Sequence, residues 1–222
     1  MAVLHSQASE LRDGLRALGL TLTDGQVDQL LAYQDLIAKW NKVYNLTAVR
    51  SPGEMLRHHL LDSLAALPPL LRHLQALPPQ GSAPRCLLDV GSGAGLPGVV
   101  FAICCPGLQV TCVDTVGKKT AFIQQAASSL HLPNLKAVHA RVESLQGHDF
   151  DVVCSRAFAS LLDFTTWSRE ALAAGGVWLA MKGKHPEDEL AVLPPGVSLF
   201  HVEQLKVPGL DAERCLLWMR AG

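Results

Sequence analysis

The sequence carries no excess of charge of one sign. Its 19 Lys and Arg residues are balanced by 20 Asp and Glu residues, which leaves a formal charge of −1 over 222 residues. The first 80 residues hold seven basic and seven acidic side chains, so the N-terminal part is not basic either. A nucleic-acid partner would therefore have to be bound by a local patch and not by overall charge.

The sequence also lacks the patterns of disulfide-rich, metal-binding and membrane-spanning chains. Its six cysteines form no C-x-x-C pair, and four lie in apolar runs with strand character. They are expected to be reduced core residues, and no metal site is expected. No apolar run approaches the ~18 residues that a membrane span requires, and the first residues lack the apolar segment of a signal peptide. We therefore expect a cytoplasmic protein without membrane contact.

The chain is organised around a glycine-rich stretch at residues 91–98. The apolar run Cys86–Val90 predicts a strand, four glycines follow within eight residues, and a second apolar run, 99–105, predicts a helix. Pro97 and Gly98 mark the helix start, where proline loses no hydrogen bond. This order is typical of a nucleotide-type cofactor site, because glycines let the backbone approach a ligand and free helix N–H groups attract negative charge.

The glycine spacing fits two kinds of cofactor. The last three glycines satisfy the dinucleotide fingerprint G-x-G-x-x-G, whereas the first three, spaced G-x-G-x-G, suit S-adenosylmethionine. Asp89 favours S-adenosylmethionine, because a carboxylate here would repel a pyrophosphate but accept hydrogen bonds from the methionine ammonium group. Asp114, at the end of the next predicted strand, is expected to bind the ribose hydroxyls of either cofactor.

The remaining pattern predicts an α/β fold. Residues Ser9–Leu18 can form a first helix, and capping boxes at Thr23 and Ser51 predict two more within residues 1–80. After a linker at 78–84, strands alternate with helices, which predicts a mostly parallel sheet covered on both faces. Parallel strands are expected at 86–90, 109–114, 135–139, 151–155 and 177–182, and an antiparallel pair at 197–207 and 214–220. The predicted domains are an N-terminal helical region, 1–80, packed on a core, 85–222.

Charged residues follow each of the five predicted parallel strands. Ligands in open α/β sheets bind at the carboxyl ends of the strands, so these residues are expected to meet at one edge. They are Asp89, Asp114, Glu143 (beside Val142), Arg156, and Lys182 with Lys184.

Six motifs occur in a specific order along the chain. They are WNKVYNLTAVR at 40–50, RHHLLDS at 57–63, DVGSGAGLPG at 89–98, DTVGK at 114–118, SRA at 155–157 and MKG at 181–183. From about Leu22 to Arg220 the chain thus resembles the RsmG (GidB-type) family, bacterial methyltransferases that modify N7 of a guanine in 16S ribosomal RNA. The resemblance implies a class I, Rossmann-like fold, S-adenosylmethionine as cofactor, and 16S rRNA or a small-subunit particle as partner. A monomer is expected, although no motif bears on the oligomeric state.

The resemblance also implies roles for individual residues. Arg156 is expected beside the cofactor and the incoming base, with a positioning role in catalysis. Residues expected to bind the cofactor are Asp89, Gly91, Gly93, Gly95, Leu96, Asp114, Thr115, Val142, Glu143 and Arg156. Residues expected to bind RNA are Lys39, Lys42, Arg50, Arg57, His58, His59, Lys118, Lys119, Phe158, Lys182 and Lys184. Phe158 can instead belong to the core, and the adjacent histidines lack metal-ligand spacing.

The type of methyl acceptor is indicated by residues that are absent after the fourth predicted strand. Methylases of exocyclic amines resemble one another in an Asn/Asp-Pro-Pro-aromatic run there, and this chain has none. A ring nitrogen with an in-plane lone pair needs only alignment with the methyl group. Two other functions remain open at this stage: a dinucleotide-dependent oxidoreductase, for which no Tyr-x-x-x-Lys pair is found, and a non-catalytic ribosome-binding protein.

Overall fold

A computed structural model describes residues 2–79, 81–145, 147, 149–156, 158 and 160–222 of the chain, with side chains from Ser6 onward. The N-terminal part is helical, as predicted, and both predicted caps are present. Its elements are α1 (Ala2–Ala17), α2 (Asp24–Tyr44), α3 (Pro52–Met55), a π-helical turn (Leu56–Leu61), α4 (Asp62–Ala65) and α5 (Leu67–Ala76). The first helix begins at Ala2, before the predicted Ser9. Pro68 does not end the helical region, because it lies in the first turn of α5, where its missing N–H removes no hydrogen bond.

Seven strands form one sheet in the order β3-β2-β1-β4-β5-β7-β6. They are β1 (Cys86–Val90), β2 (Gln109–Asp114), β3 (Leu135–His139), β4 (Phe150–Arg156), β5 (Leu172–Lys182), β6 (Val197–Leu205) and β7 (Arg214–Ala221). The first five strands pair in parallel, whereas β7 runs antiparallel to both β5 and β6. The predicted α/β class and the antiparallel closing pair are confirmed.

Helices cover both faces of this sheet. They are α6 (Gly98–Cys104), α7 (Gly117–Ser129), α8 (Leu161–Trp167) and α9 (Glu187–Ala191), with 3₁₀ turns at Val142–Ser144 and Arg169–Ala171. The alternating pattern predicted helices between the parallel strands, most clearly at 118–130, and α6, α7 and α8 lie there; between β3 and β4 the structure has only the 3₁₀ turn, and α9, after β5, was not predicted. Gln80 of the predicted linker and Ala157 of the SRA motif lie outside the described residues.

The N-terminal helices share a hydrophobic core with one face of the sheet. Leu30, Tyr33 and Leu60 belong to the same buried cluster as Leu87 of β1 and Phe101 of α6. Each large apolar side chain buried in this way contributes ~1.5–3 kcal/mol. The next β1 residue, Leu88, points to the cluster on the opposite face, as the period of a strand requires. The N-terminal helices are thus packed on the same face of the sheet as α6, next to the glycine stretch that connects β1 to α6.

Within the described ranges, no helix is long and apolar enough to cross a membrane. The six cysteines are all unpaired, and Cys112, Cys154 and Cys215 are buried.

Candidate cofactor and RNA site

Three adjoining cavities lie at the edge where the parallel strands end. The first has a volume of about 180 Å³ and is lined by Asp114, Glu143 and Phe158, so we call it the Asp114 cavity. The second, of about 250 Å³, lies along the glycine stretch, and we call it the loop cavity. The third, of about 390 Å³, is the Asp62 cavity.

The cavities adjoin one another, because neighbouring cavities share lining residues, and we call the three together the cleft. Gly91 lines both the Asp114 cavity and the loop cavity. His59 and Arg156 line both the loop cavity and the Asp62 cavity. A ligand in the first two cavities would therefore reach toward a second ligand in the third, which is the arrangement that a group transfer between two molecules requires.

Asp114 joins the end of β2 to the glycine stretch. Its Oδ2 accepts a hydrogen bond from the Gly93 N–H at 2.9 Å, and its Oδ1 accepts one from the Val116 N–H at 2.9 Å. The Lys119 ammonium lies 3.6 Å from Oδ2. Each carboxylate oxygen retains acceptor capacity beyond these bonds. Although only 5 % of this side chain is exposed, it lines the cavity, so a hydroxyl group there could be bound.

The glycine stretch depends on glycine at two points, once for a left-handed backbone conformation and once for a close approach. Gly91 has φ +66°, and a Cβ atom there would lie 3.4 Å from the Phe158 ring, in the mouth of the Asp114 cavity. At Gly98 a Cβ would lie 2.5 Å from Cys112 Sγ, so α6 can pack against β2 only with glycine. Tyr33 of α2 donates a hydrogen bond to the Ala94 carbonyl at 2.5 Å, which attaches the glycine stretch to the N-terminal helices.

Other predicted cofactor residues lie on the same walls. Thr115 lines the Asp114 cavity with an exposed side chain, and its carbonyl is 3.0 Å from His139 Nε2. Val142 is a buried part of that wall, whereas Glu143 is exposed at its rim. Leu96 lines the loop cavity. Gly95 is buried instead, where a Cβ would meet Val99 at 2.4 Å, so its position serves packing.

Asp89 is buried and lines none of the three cavities, which corrects the expectation that it accepts hydrogen bonds from the methionine ammonium group. Its side chain is fully buried, and its Oδ2 accepts a hydrogen bond from the Gly98 N–H at 2.9 Å. Its Oδ1 has no hydrogen-bond partner among the described residues. Burial raises the pKa of this carboxyl group to about 7, against the lowering effects of the Gly98 N–H and the Arg156 charge. The carboxylate therefore holds the start of α6 and does not face a bound molecule directly.

The raised pKa of Asp89 predicts a specific loss of stability with pH. Between pH ~4 and ~7 the unfolded chain has released a proton that the folded protein retains, so the free energy of unfolding falls as pH rises. From pH 5 to pH 8 this effect amounts to about 3 kcal/mol. Asp89→Asn should remove the decrease, because the amide oxygen can still accept from Gly98 without becoming charged. Urea unfolding of the ligand-free protein at both pH values measures it.

The pH dependence of stability must be compared between the wild type and Asp89→Asn, because His59 changes the free energy of unfolding with pH in the opposite direction. Burial and the Arg156 charge lower the pKa of His59 to about 4. The unfolded chain then binds a proton between pH ~4 and ~6.5 that the folded protein does not bind, so stability rises with pH there. This contribution is common to both proteins and cancels in their difference. Parallel pH curves for wild type and variant would contradict the prediction.

Arg156 extends from the end of β4 to the N-terminal helices. Its Nη1 donates to the His58 carbonyl oxygen at 2.8 Å and to Asp62 Oδ2 at 3.0 Å. Arg214, the first residue of β7, donates from Nε to Asp62 Oδ1 at 2.7 Å. One carboxylate thus joins two guanidinium groups on the wall of the Asp62 cavity, where Lys182 also lies.

His58 and His59 lie in the π-helical turn, a rare element that is often found at functional sites. His59 Nε2 forms a hydrogen bond with Thr47 Oγ1 at 2.9 Å, while its buried Nδ1 has no partner among the described residues. Its lowered pKa keeps it neutral at physiological pH. His59 is therefore no cation for RNA phosphates, which corrects that part of the prediction. His58 lines the Asp62 cavity and is partly exposed.

The predicted RNA-binding cations fall into two groups. Those with exposed side chains are Lys39, Lys42, Arg50, Lys118 and Lys184. The others already have acidic neighbours: Arg57 lies 2.8 Å from Glu10, Lys182 lies 2.8 Å from Glu189, and Lys119 is close to Asp114. Phe158 is half-buried against Phe164 and Trp167, with ring centroids 5.7 Å away in each case, and it lines the Asp114 cavity.

Two residues of the cleft were missed by the sequence analysis as site residues. Asp62 was the only carboxylate of the RHHLLDS motif, which was a usable signal. The only signal for Arg214 was its position at the start of the predicted antiparallel strand. Because β7 is antiparallel, its first residue lies at the edge where the parallel strands end.

Known proteins resemble this chain in sequence and in fold. The sequence model of a family described as rRNA small subunit methyltransferase G matches residues 26–217. A protein of Polaromonas sp. named ribosomal RNA small subunit methyltransferase G is 70 % identical over 211 residues, 95 % of this chain and 92 % of that protein.

The crystal structure of TrmN from Thermus thermophilus has a TM-score of 0.56 and 19 % identity over 75 % of this chain and 53 % of its own. A S-adenosylmethionine-dependent methyltransferase of Thiobacillus denitrificans, solved with S-adenosyl-L-homocysteine, has a TM-score of 0.50 and 14 % identity over 72 % of this chain and 91 % of its own. These structures share the methyltransferase fold. By the family match and the identity to its relatives, this chain belongs to the rRNA small subunit methyltransferase G family.

Proposed function

We propose that this protein transfers a methyl group from S-adenosylmethionine to N7 of a guanine in the 16S rRNA of the small ribosomal subunit. The observation that carries the proposal is the cleft, in which two adjoining cavities beside the glycine stretch neighbour a third lined by cationic side chains. The family supplies the reaction class, and the Polaromonas relative is named for the RNA of the small subunit.

The residues of the first two cavities fit S-adenosylmethionine. The Asp114 cavity combines apolar walls, including Val113 and Val142, with acceptors at Asp114 and Glu143, which suits an adenine and a ribose. Gly91 leaves open the space that a Cβ would fill beside Phe158. The buried, unpartnered Oδ1 of Asp89 lies under the same stretch and would favour a cationic ligand above it. A S-adenosyl ligand in the Thiobacillus enzyme agrees with this fit.

Each part of the cofactor would meet a different segment of the chain. Asp114 would accept hydrogen bonds from the ribose hydroxyls, and Val142 with Glu143 would bind the adenine. The backbone at Gly91, Gly93 and Leu96 would line the methionine part. When bound, S-adenosylmethionine supplies an electrophilic methyl group on a sulfonium centre.

The residues present suit attack by an unprotonated ring nitrogen. Guanine N7 carries no proton in the neutral base, so no side chain has to accept one. His59, whose lowered pKa keeps it neutral, and Asp89, which is buried, need not act as bases. The contribution of the protein is to hold N7 and the methyl group in line and close together, an effect that can account for ~7–11 kcal/mol of a barrier.

The RNA would approach over the exposed end of α2. Lys39 and Lys42 are exposed there, and Arg50 follows in the next loop. Tyr44 is 42 % exposed and Val43 is 70 % exposed. An exposed ring beside cations is suited to an unpaired base and its phosphate.

The experiment that tests the proposal combines binding with mapping of the product. Calorimetry should show binding of S-adenosylmethionine and of no nicotinamide cofactor. Mass mapping of 16S rRNA should show one 7-methylguanosine that is lost from cells without the protein and restored by adding the purified protein and cofactor. Binding of a nicotinamide instead, or binding of ribosomal particles with unchanged 16S rRNA, would overturn the proposed reaction.

The absence of a catalytic base predicts a flat pH profile. The single-turnover rate on pre-bound RNA should change little between pH ~6.5 and ~9, because His59 is already unprotonated throughout that range. Cofactor must be saturating at each pH, since ionisation of Asp89 would affect its affinity. A rate that rises tenfold per pH unit and loses this rise in His58→Gln would show that a proton moves in the reaction, and would indicate an exocyclic amine as acceptor.

A further inference from the structure

The Asp62 cavity contains an ion cluster that the proposed methyl transfer does not by itself explain. The Asp62 side chain, 5 % exposed, lies between Arg156 and Arg214, and each of its oxygens accepts from one of them, at 3.0 Å and 2.7 Å. The three residues come from the N-terminal helices, β4 and β7. A carboxylate so placed determines the distance and orientation of the two guanidinium groups relative to each other.

The cluster leaves one net positive charge in the cavity. Two guanidinium groups share one carboxylate, whereas the nearby Lys182 is neutralised by both oxygens of Glu189, at 2.8 and 2.9 Å. The arginine side chains are 21 % and 23 % exposed and line the cavity, so their remaining N–H groups are available to a ligand. Planar guanidinium groups held in this way match the oxygens of a phosphate.

The proposed reaction at N7 argues against the edge of the guanine base as the ligand of these two guanidinium groups, which together form a fork of N–H donors. Arginine commonly recognises guanine with two hydrogen bonds, to O6 and N7. In the proposed reaction the N7 lone pair must remain free to attack the methyl group, so a bidentate contact to that edge would block the nucleophile. The fork is therefore better used on the RNA backbone than on the guanine edge.

We propose that Asp62 is a positioning residue that holds Arg156 and Arg214 as a single fork for a phosphodiester next to the guanine that is methylated. This inference rests on the proposed function, because it assumes an RNA substrate. It assigns Asp62 an effect opposite to the one expected from its charge. If the residue were only an acidic group near a polyanion, its removal would strengthen RNA binding; as a positioning residue, its removal weakens binding.

The test uses Asp62→Asn with Glu203→Gln as the matched control. Both substitutions remove one negative charge from an ion pair with arginine, but Glu203 pairs with Arg72 outside the cleft. In Asp62→Asn the amide nitrogen would face one guanidinium donor, which releases that arginine from the fork. We expect RNA affinity to fall about tenfold and the slope of log affinity against log salt to decrease by about one. Glu203→Gln should bind RNA as well as wild type or slightly more tightly.

Cofactor affinity, measured separately, shows whether the variant is folded. A folded Asp62→Asn protein that binds RNA with wild-type or higher affinity would overturn the proposal. If that variant does not fold, Arg214→Lys replaces it: the charge and the pair with Asp62 can remain, but the planar fork is lost. The same loss of RNA affinity is expected, and full affinity in Arg214→Lys would equally overturn the proposal.

A small-molecule comparison on the wild-type protein separates this proposal from the proposed function. Guanosine 5′-monophosphate should compete with RNA at concentrations at least about tenfold lower than guanosine, because only the nucleotide carries the phosphate. Equal competition by the two would overturn the phosphate fork while leaving methyl transfer intact. Conversely, a preference for the nucleotide in a protein that methylates no 16S rRNA would support the fork and reject the proposed reaction.

Discussion

Substitution of Asp114 by alanine is expected to weaken binding of S-adenosylmethionine by roughly ten- to a hundredfold. A hydrogen bond to a charged group contributes ~1.5–3 kcal/mol, which corresponds to such a change in affinity. The structure adds a second reason. The same carboxylate accepts the N–H groups of Gly93 and Val116, so its removal also loosens the glycine stretch that lines the cleft. Calorimetric titration of the purified variant with the cofactor measures the effect.

A control must separate lost binding from lost stability, since Asp114→Ala removes two structural hydrogen bonds as well. Asn134→Ala serves this purpose. The Asn134 amide donates to the carbonyls of Ala102, Cys105 and Leu108, at the start of β3 and away from the cleft. Its loss should lower the melting temperature without changing cofactor affinity. If Asp114→Ala, when folded, binds the cofactor as tightly as wild type does, Asp114 is not part of the site.

Substitution of Arg156 by alanine is expected to lower the single-turnover rate by about 100-fold at saturating RNA and cofactor, the order of effect that follows from a misplaced substrate. Arg156 lines both the loop cavity and the Asp62 cavity, where the two ligands would meet. Arg156→Lys should restore little of the rate. One ammonium group cannot reproduce a planar group that contacts the His58 carbonyl and Asp62 while still facing the cleft.

Arg72→Ala provides the matched control for the arginine variants. Arg72 forms an exposed pair with Glu203, and exposed pairs contribute ~0–1 kcal/mol, so a near-normal rate and stability are expected. Thermal unfolding of Arg156→Ala shows whether the rate loss is separable from folding. Complete rescue by Arg156→Lys would mean that only the positive charge matters at this position.

Local signals in the sequence identified most of the fold. The Thr23 and Ser51 caps are formed by neighbouring residues and were found correctly. The strands β1, β2 and β3 match the predicted bounds. The clearest of them is β1, which is mostly buried and appears as a largely apolar run directly before the glycines. The alternation of strands and helices predicted α8, between β4 and β5, whereas α9 was not predicted, since a helix of five residues has too few turns to show a period.

The site was less completely predictable, because its contacts join distant segments. Asp62 and Arg214 are 152 positions apart and meet only through the antiparallel pairing of β7 with β5. Asp89 was correctly placed beside the glycine stretch, but the complete burial of its side chain was not predicted. The sequence does not show that the Gly98 N–H and the Cys112 thiol both lie against the Asp89 carboxylate.

The sequence by itself determined the family and the α/β class, and it predicted the edge of the sheet at which we propose that ligands bind. These follow from short-range features: residue order within motifs, the two-residue period of strands, and glycines at turns that exclude a side chain. The tertiary structure alone decided which charges are available and which are already paired. Burial neutralises His59, Glu189 neutralises Lys182, and Asp62 joins two arginines. Electrostatic energies depend on distance through space and on the removal of water, and neither quantity is set by position along the chain.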